Sequence, residues 1–393
     1  MTAILPSAAS ATEPLPPLGL MAFFVEVPDP RRRQKSCDFL FSDLIFLAVT
    51  AVMCGCDDWE DVADFGVAEL AWYKQHGMLL SGPPSHDTLR RVFMLLDKKK
   101  FAAGLAAWVK AVCGKLFGVI AIDGKTVRGS RSGDKPGIHI VSAWSAQLRM
   151  TLVHQETAEK SNEITAIPQV LRLLSLHGCL ITIDAMGCQR EIAKTICEQG
   201  GEYLLTAKEN QPTLVKGIAD FFTDAEKNQW KDARQHTEHT TEKTDHGRHE
   251  KRTCHACHIP EKWLNDDWHR IAQIVRITRT RTNTRTGVST TEQNYAITSD
   301  ANADAQKLLS ATRQHWGIEN KNHYVLDVTF KEDHCRIRSK NGAENFATVR
   351  RIVLNILNLN KEKISIKRMR RHAYYHPDKR DLWLNNATKC ITD

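Results

Sequence analysis

From Met21 to about Phe117 the apolar positions recur at helical spacing, as in Leu44, Leu47, Ala48 and Ala51. Ser81-Gly-Pro-Pro-Ser85 reads as a turn, with Ser85 the N-cap of a helix over His86–Leu96. Two helices around that turn suit either a plain helical hairpin or a DNA-reading helix-turn-helix with Arg90 and Arg91 outward. The period then shifts. Val119–Asp123, His139–Ala146 and Met150–Glu156 read as strands, the last two close enough in sequence to pair antiparallel. A helix over Ile164–Leu176, a buried strand Leu180–Asp184, a helix Gln189–Gln199 stopped by Gly200-Gly201, a strand Glu202–Ala207 and a helix Thr213–Phe222 follow. Such alternation predicts an α/β fold, a mixed sheet covered by helices. Residues 225–295 break the rhythm. They are polar, rich in His and Thr, and strand-like near Ile271–Thr278 and Thr290–Thr298, as expected of a β-rich insertion. A helix from about Asp304 to Tyr324 resumes the pattern. A last helix, Phe346–Leu359, carries Phe346, Val349, Ile352, Val353, Ile356 and Leu357 on one face, with Arg350 and Arg351 off it.

Composition refines this outline. At 393 residues and 42% hydrophobic content the chain can bury a sizeable core and suits two or three domains. Met1 to Leu20, rich in Ala, Ser and Pro, reads as a disordered leader without the basic start of a signal peptide. The most apolar run, Leu44–Cys56, lies between Asp43 and Asp57 and is too short to span a bilayer. Eleven cysteines in no regular framework, with Cys113, Cys179 and Cys197 in apolar segments, suit reduced thiols in a cytoplasmic protein. The net charge of +8 is uneven: from Arg336 onward there are 14 Lys/Arg and 5 Asp/Glu, which leaves residues 1–335 near −1. A basic tail over residues 361–393 is expected, either solvated or in contact with a polyanion, of which nucleic acid is the commonest.

Three acidic residues stand out. Asp123 ends the run Gly118-Val-Ile-Ala-Ile-Asp123, and Asp184 ends Cys179-Leu-Ile-Thr-Ile-Asp184. Glu319 lies in the helical stretch His315-Trp-Gly-Ile-Glu-Asn320, where His315, Glu319 and His323 share a face. If the two strands are neighbours, the aspartates face one another and repel, and one should have a raised pKa unless a cation lies between them. Hard divalent ions held by carboxylates suit phosphodiester chemistry, in which two ions clamp attacking and leaving oxygens. Taken singly, each Asp is more often a turn or helix cap and Glu319 a solvated residue. Asp327, Glu332 and Asp333 rival Glu319 as ligands, Asp327 first. Trp316 is expected in the core, with stacking on an unpaired base as the other reading. Cys254-His-Ala-Cys-His258 resembles half a zinc site, with Cys54 and Cys56 as another thiol pair, but no second pair lies at zinc spacing. His236, His239, His246 and His249 are expected to be exposed.

Several blocks together carry a family resemblance. Ala121-Ile-Asp-Gly-Lys-Thr-Val-Arg-Gly-Ser130, Ile183-Asp-Ala-Met-Gly-Cys-Gln189 and His315-Trp-Gly-Ile-Glu-Asn320 resemble the signature blocks of insertion-sequence DDE transposases, in the H-repeat-associated, Rhs-linked branch. Leu326-Asp-Val-Thr-Phe-Lys-Glu-Asp333 and Cys335-Arg-Ile-Arg338 are similar to the same branch, and Asp29-Pro-Arg-Arg and Pro84-Ser-His-Asp-Thr-Leu-Arg-Arg-Val-Phe93 to its N-terminal helical domain. The resemblance spans about residues 21–360. It implies a ribonuclease-H-like core over 118–360 with the insertion at 225–295, preceded by a helical domain over 21–117. It further implies that Asp123, Asp184 and Glu319 are catalytic and bind a pair of Mg²⁺ or Mn²⁺ ions. The implied activity is cleavage at the inverted-repeat ends of a transposon and joining to target duplex DNA, by a homodimer on DNA, nucleoid-associated when bound. A catalytically inactive, domesticated DNA-binding copy and a structure-specific nuclease of the same fold are the alternatives. Lys125, Arg128, Lys208, Arg313, Asn320, Arg336 and Arg338 are the candidate DNA contacts. The family often carries a Lys after the Glu where this chain has Leu326, and Lys321 stands at a position usually apolar in the branch.

Overall fold

The computed structural model describes residues 17–31, 38–133, 136–157, 163–260 and 268–390. The leader up to residue 16, Arg32 of the Asp29 block, and Cys37 lie outside them.

Among the described residues nine strands form one mixed sheet in the order β3-β2-β1-β4-β5-β9-β8-β7-β6. β1 (Gly118–Thr126) is paired antiparallel to β2 (His139–Ser145), which turns back into β3 (Met150–Thr157). On its other side β1 runs parallel to β4 (Cys179–Ile183), and β4 parallel to β5 (Glu202–Ala207). This half has the mixed order expected of a ribonuclease-H-like core. The polar stretch read as an insertion forms β6 (Thr237–Asp245), β7 (Arg248–His258), β8 (Gln273–Asn283) and β9 (Ser289–Thr298). It is an antiparallel meander that joins the core sheet through β9 and β5 rather than standing apart.

Strand parity sorts the two faces. Ile120 and Ile122 of β1, and Ile181 and Ile183 of β4, enter the main core. On that face lie α6 (Glu163–Arg172), α7 (Arg190–Glu198) and α8 (Pro212–Lys227). Val119, Leu180 and Leu204 point the other way, into a second core under α9 (Ala305–His315). Asp304 caps α9, its carboxylate accepting from the Lys307 N–H at 2.7 Å.

The N-terminal helices are α1 (Phe41–Met53), α2 (Trp59–Ala68), α3 (Leu70–Gln75), α4 (His86–Leu95) and α5 (Lys98–Cys113), and they share the main core with the sheet. Ser85 caps α4 as expected, accepting from Thr88 N–H at 3.3 Å. Arg90 and Arg91 are exposed, while the opposite face of α4 packs on α2 and on α11 (Gly342–Leu359). After α9 a π-helical turn, Ile318–His323, leads into α10 (Tyr324–Val328). No helix among the described residues is long and apolar enough to cross a membrane.

Three expectations need correction. Residues 17–20 do not belong to a disordered leader, because Pro17–Phe24 is a 3₁₀ helix whose Leu20 and Phe24 are buried, Phe24 against Phe101. The basic segment after residue 360 is not a free tail. It folds as α12 (Ile366–Tyr375) and α13 (Pro377–Asn386), with Met369, Trp383 and Leu384 buried. Arg370 and Arg380 go inward too, matched by Asp57 at 3.1 Å and Glu69 at 2.6 Å. Arg350 and Arg351 are likewise buried, since α11 is enclosed on all sides and meets a buried carboxylate, Glu332.

Candidate active site

Asp123 shares its face of β1 with Val119 and Ala121, and the parallel register sets Ile122 beside Ile183. Asp184, one residue beyond β4, therefore comes next to Asp123. Asp184 also caps a short 3₁₀ turn, Ala185–Gly187, by accepting from Met186 N–H at 3.1 Å. Glu319 reaches the same place from the π-turn, a local irregularity that re-aims side chains relative to a plain helix. The three carboxylates act on one another. Burial, then the charges of Asp184 and Glu319, push Asp123 up to about 7. Burial and Asp184 also raise Glu319. Such mutual repulsion destabilises the site and is relieved by a cation, so the donor set, three carboxylates partly open to solvent, fits a hard divalent ion.

Two histidines flank the carboxylates. His323 is buried, with Nδ1 3.4 Å from an Asp123 oxygen and no hydrogen-bond partner at Nε2. Burial, with Arg351 and Lys125 nearby, pulls it down to about 3, so the ring is neutral at physiological pH. His315 is held by Thr182, with 3.1 Å between Nδ1 and the hydroxyl. His315, Glu319 and His323 thus all turn toward the sheet, each at a different depth.

A cleft of about 330 Å³ opens beside Asp184 and Glu319. Lys208, Arg313 and Trp316 line it, and so do Arg252 of β7 and Arg279 of β8. The two insertion arginines escape a local reading because only the register of Arg252 against Arg279 brings them to this face. Trp316 is 51% exposed at the rim rather than in the core. Trp144 fills the space under the π-turn instead, packed with Ala121 and Ile318. A Cβ on Gly317 would come within 2.7 Å of that buried ring. Gly317→Ala should cost about 1–3 kcal/mol by overpacking and displace Glu319. Thermal unfolding measures the first effect; an unchanged melting temperature would mean that the turn does not rest on Trp144.

The remaining candidate contacts divide. Lys125 is not available to phosphate: it is buried and ion-paired to Asp327 at 2.7 Å, Glu332 at 3.1 Å and Asp333 at 3.3 Å. The same pairing occupies the three rivals of Glu319. Arg128 is exposed with Asp333 3.7 Å away, and Asn320 donates back to the Trp316 carbonyl at 2.9 Å. Arg336 and Arg338 line a different cleft, of about 450 Å³, with Arg90, Lys331 and the acidic run from Asp57 to Asp61. Cys254 and Cys257 lie in different cores on opposite faces of the sheet, so they cannot chelate one ion. Burial pushes both thiols up to about 12. All ten described cysteines are free. Of the insertion histidines, His246 is exposed, but His236 stacks on Trp230 with 3.8 Å between ring centroids.

Comparison with known proteins adds an independent line. A family profile described as "Transposase DDE domain" matches residues 115–356, and one described as "DDE_Tnp_1-associated" matches residues 21–109. The "H repeat-associated putative transposase YhhI" of Escherichia coli K12 is 36% identical over 362 residues, which covers 90% of this chain and 94% of the relative. The "Putative transposase YncI" of Escherichia coli O157:H7 is 35% identical over 361 residues, 90% of each chain. A cryo-EM structure of a piggyBac transposase synaptic complex with hairpin DNA is similar to this chain with a TM-score of 0.46 and 12% identity, covering 96% of this chain and 82% of that one.

Proposed function

The chain belongs to the transposase DDE-domain family, and from that premise we propose that it cuts DNA at transposon ends and joins the freed 3′ ends to target DNA, using divalent ions held by Asp123, Asp184 and Glu319. The observation that carries this reading is the meeting of those three carboxylates, where burial first and then the charges of Asp184 and Glu319 lift Asp123 to about 7. The catalytic unit is taken as residues 118–360, with 225–295 inserted in it and 21–117 as the associated helical part.

Bound Mg²⁺ or Mn²⁺ would neutralise charge at the phosphorus and lower the pKa of an attacking water or hydroxyl. The protein's own part is positioning. Asp123 and Asp184 stand on a stiff pair of parallel strands, and neutral His323 lies behind Asp123 without adding charge. Lys208 and Arg313 supply the cationic lining against which a phosphate backbone would lie, beside Arg252 and Arg279, which share Glu250 as a counter-ion at 2.8 Å. Each such contact adds affinity without sequence choice and with a salt-dependent strength. Trp316, exposed at the rim, offers a face for an unpaired base near the cut. Because two ends must be joined, the working form is taken as a dimer assembled on DNA.

Labelled duplex carrying the element's own ends, incubated with and without Mg²⁺, tests the reading. Mg²⁺-dependent nicking together with joined product is the expected result. Binding without nicking would indicate an inactive, domesticated copy, and nicking without joining a structure-specific nuclease. A further expectation concerns the grip on the backbone. Lys208→Ala and Arg313→Ala should each weaken binding equally for all sequences and lower the slope of log affinity against log salt by about one. An unaltered slope in a salt titration would take that residue out of the interface.

A further inference from the structure

On the sheet face opposite the acidic cleft, the meander gathers a second set of ligand-type side chains. Glu238 of β6 and His255 of β7 are directly opposed in the antiparallel ladder. His236 stands two residues before Glu238, so strand parity turns all three to one face. Nε2 of His236 lies 3.2 Å from Nδ1 of His255, and a Glu238 oxygen lies 3.9 Å from that same nitrogen. One ligand atom from each residue falls within 4.8 Å of the others.

The arrangement is held from below. Trp230, in the segment leaving α8, stacks on both imidazoles, with centroids 3.8 Å from His236 and 4.7 Å from His255. Neighbouring Arg276 is already engaged, paired with Glu226 and lying over the Phe222 ring. Burial lowers both histidines, favouring the neutral form that ligates metal. Two imidazole nitrogens bound to one tetrahedral Zn²⁺ at about 2.0–2.1 Å stand roughly 3.3 Å apart, close to the spacing seen here. A bare hydrogen bond between the rings accounts for that spacing too; what points to an ion is that the opposed Glu238 adds a third ligand atom within 4.8 Å of both nitrogens.

We propose that His236, Glu238 and His255 form a metal site for a borderline divalent ion of the Zn²⁺ type, with the fourth position open to water on the exposed side of Glu238. Two neutral nitrogens and one carboxylate oxygen suit such an ion better than Mg²⁺, which prefers an all-oxygen shell. The ion ties the start of β6 to β7 and, through the stacked Trp230, to the end of α8. It braces the meander whose other face presents Arg252 and Arg279 to the cleft. The proposal stands apart from the catalytic reading, since neither set of ligands contributes to the other.

The test uses untagged full-length protein carrying Asp123→Asn and Asp184→Asn, so that the acidic site is disabled and cannot be mistaken for this one. Calorimetric titration with Zn²⁺ should give one ion per chain. His236→Gln and His255→Gln should each weaken it about 100-fold or more, since loss of even an outer-shell partner costs about 10–100-fold. Substituting Co²⁺ should give visible bands of a nitrogen–oxygen site without the near-ultraviolet thiolate band that Cys254 or Cys257 would produce. If His255→Gln fails to fold, His236→Gln and Glu238→Gln, at less buried positions, carry the test. No stoichiometric Zn²⁺ in the parent, affinity unchanged in these variants, or a thiolate band would each overturn the proposal.

Discussion

Asp184→Asn is expected to reduce end cleavage to background while leaving DNA affinity within a few-fold of the parent, and Asp123→Asn to do the same. A lost carboxylate removes a ligand to the ion that would stabilise charge in the transition state. Loss of one neutral donor to such charge already costs about 10²–10³-fold, so the drop here should be at least that large. Stability should move the other way. Asp123 is raised from 3.8 to about 7 by burial and by its acidic neighbours. Its contribution to stability in the metal-free protein is therefore full below about pH 3.8 and is lost as pH rises through 7. Asparagine carries no such charge, so metal-free Asp123→Asn should melt at or above the parent temperature at pH 8, with the difference shrinking toward pH 5. Cleavage by the asparagine variants at a rate close to the parent's would remove these residues from the site. A variant that neither cuts nor folds would show that the carboxylate holds the sheet together, a role its repulsive surroundings argue against.

The parts of this site differ in how far sequence reveals them, and the difference follows the range of the interactions. Asp123 and Asp184 announce themselves because each closes a short run of buried-strand residues, and parallel neighbours with matching runs end side by side. Ser85 and Asp304 are legible as caps because a cap is satisfied within three residues. Lys125 misleads for the opposite reason. Its position after Asp123 suggests a phosphate contact, but its charge is spent on Asp327, Glu332 and Asp333, some two hundred residues away. Arg350 and Arg351 look like the wet side of an amphipathic helix until the distant Glu332 is seen beside Arg351. Trp316 fails by another route: periodicity assigns it to the helix's apolar face, yet Trp144 from β2 already fills that volume and leaves it at the rim. The expected helix over Asp304–Tyr324 contains the π-turn, an irregularity that no local pattern foretells. Sequence thus carries the periodic elements and their caps, while long-range charge pairing decides which basic residues remain free for DNA.

Glu332→Gln should destabilise the protein by about 3–5 kcal/mol, the range for removing one partner of a buried pair. Glu332 is fully buried, 3.1 Å from the Arg351 guanidinium and 3.1 Å from the Lys125 ammonium. Burial alone would raise its pKa, but Arg351 and Lys125 outweigh that and hold it at about 2. A neutral amide would leave Arg351 without a counter-ion in the core. Lys125 keeps Asp327 and Asp333, which places the expected loss toward the lower end of the range. The sign with pH is fixed by the lowered pKa: the stabilisation is complete above about 4.5 and disappears as pH falls toward 2. The gap between parent and variant should therefore be widest near neutrality and narrow in acid, as followed by denaturant unfolding at several pH values. Pairing the change with Arg351→Met should restore part of the loss, because well-packed apolar groups replace a buried pair at little cost. A single variant within about 0.5 kcal/mol of the parent, the usual span for surface changes, would mean that the Lys125–Glu332–Arg351 chain does not anchor β1 to α11. Asp123 would then depend for its position on the sheet alone.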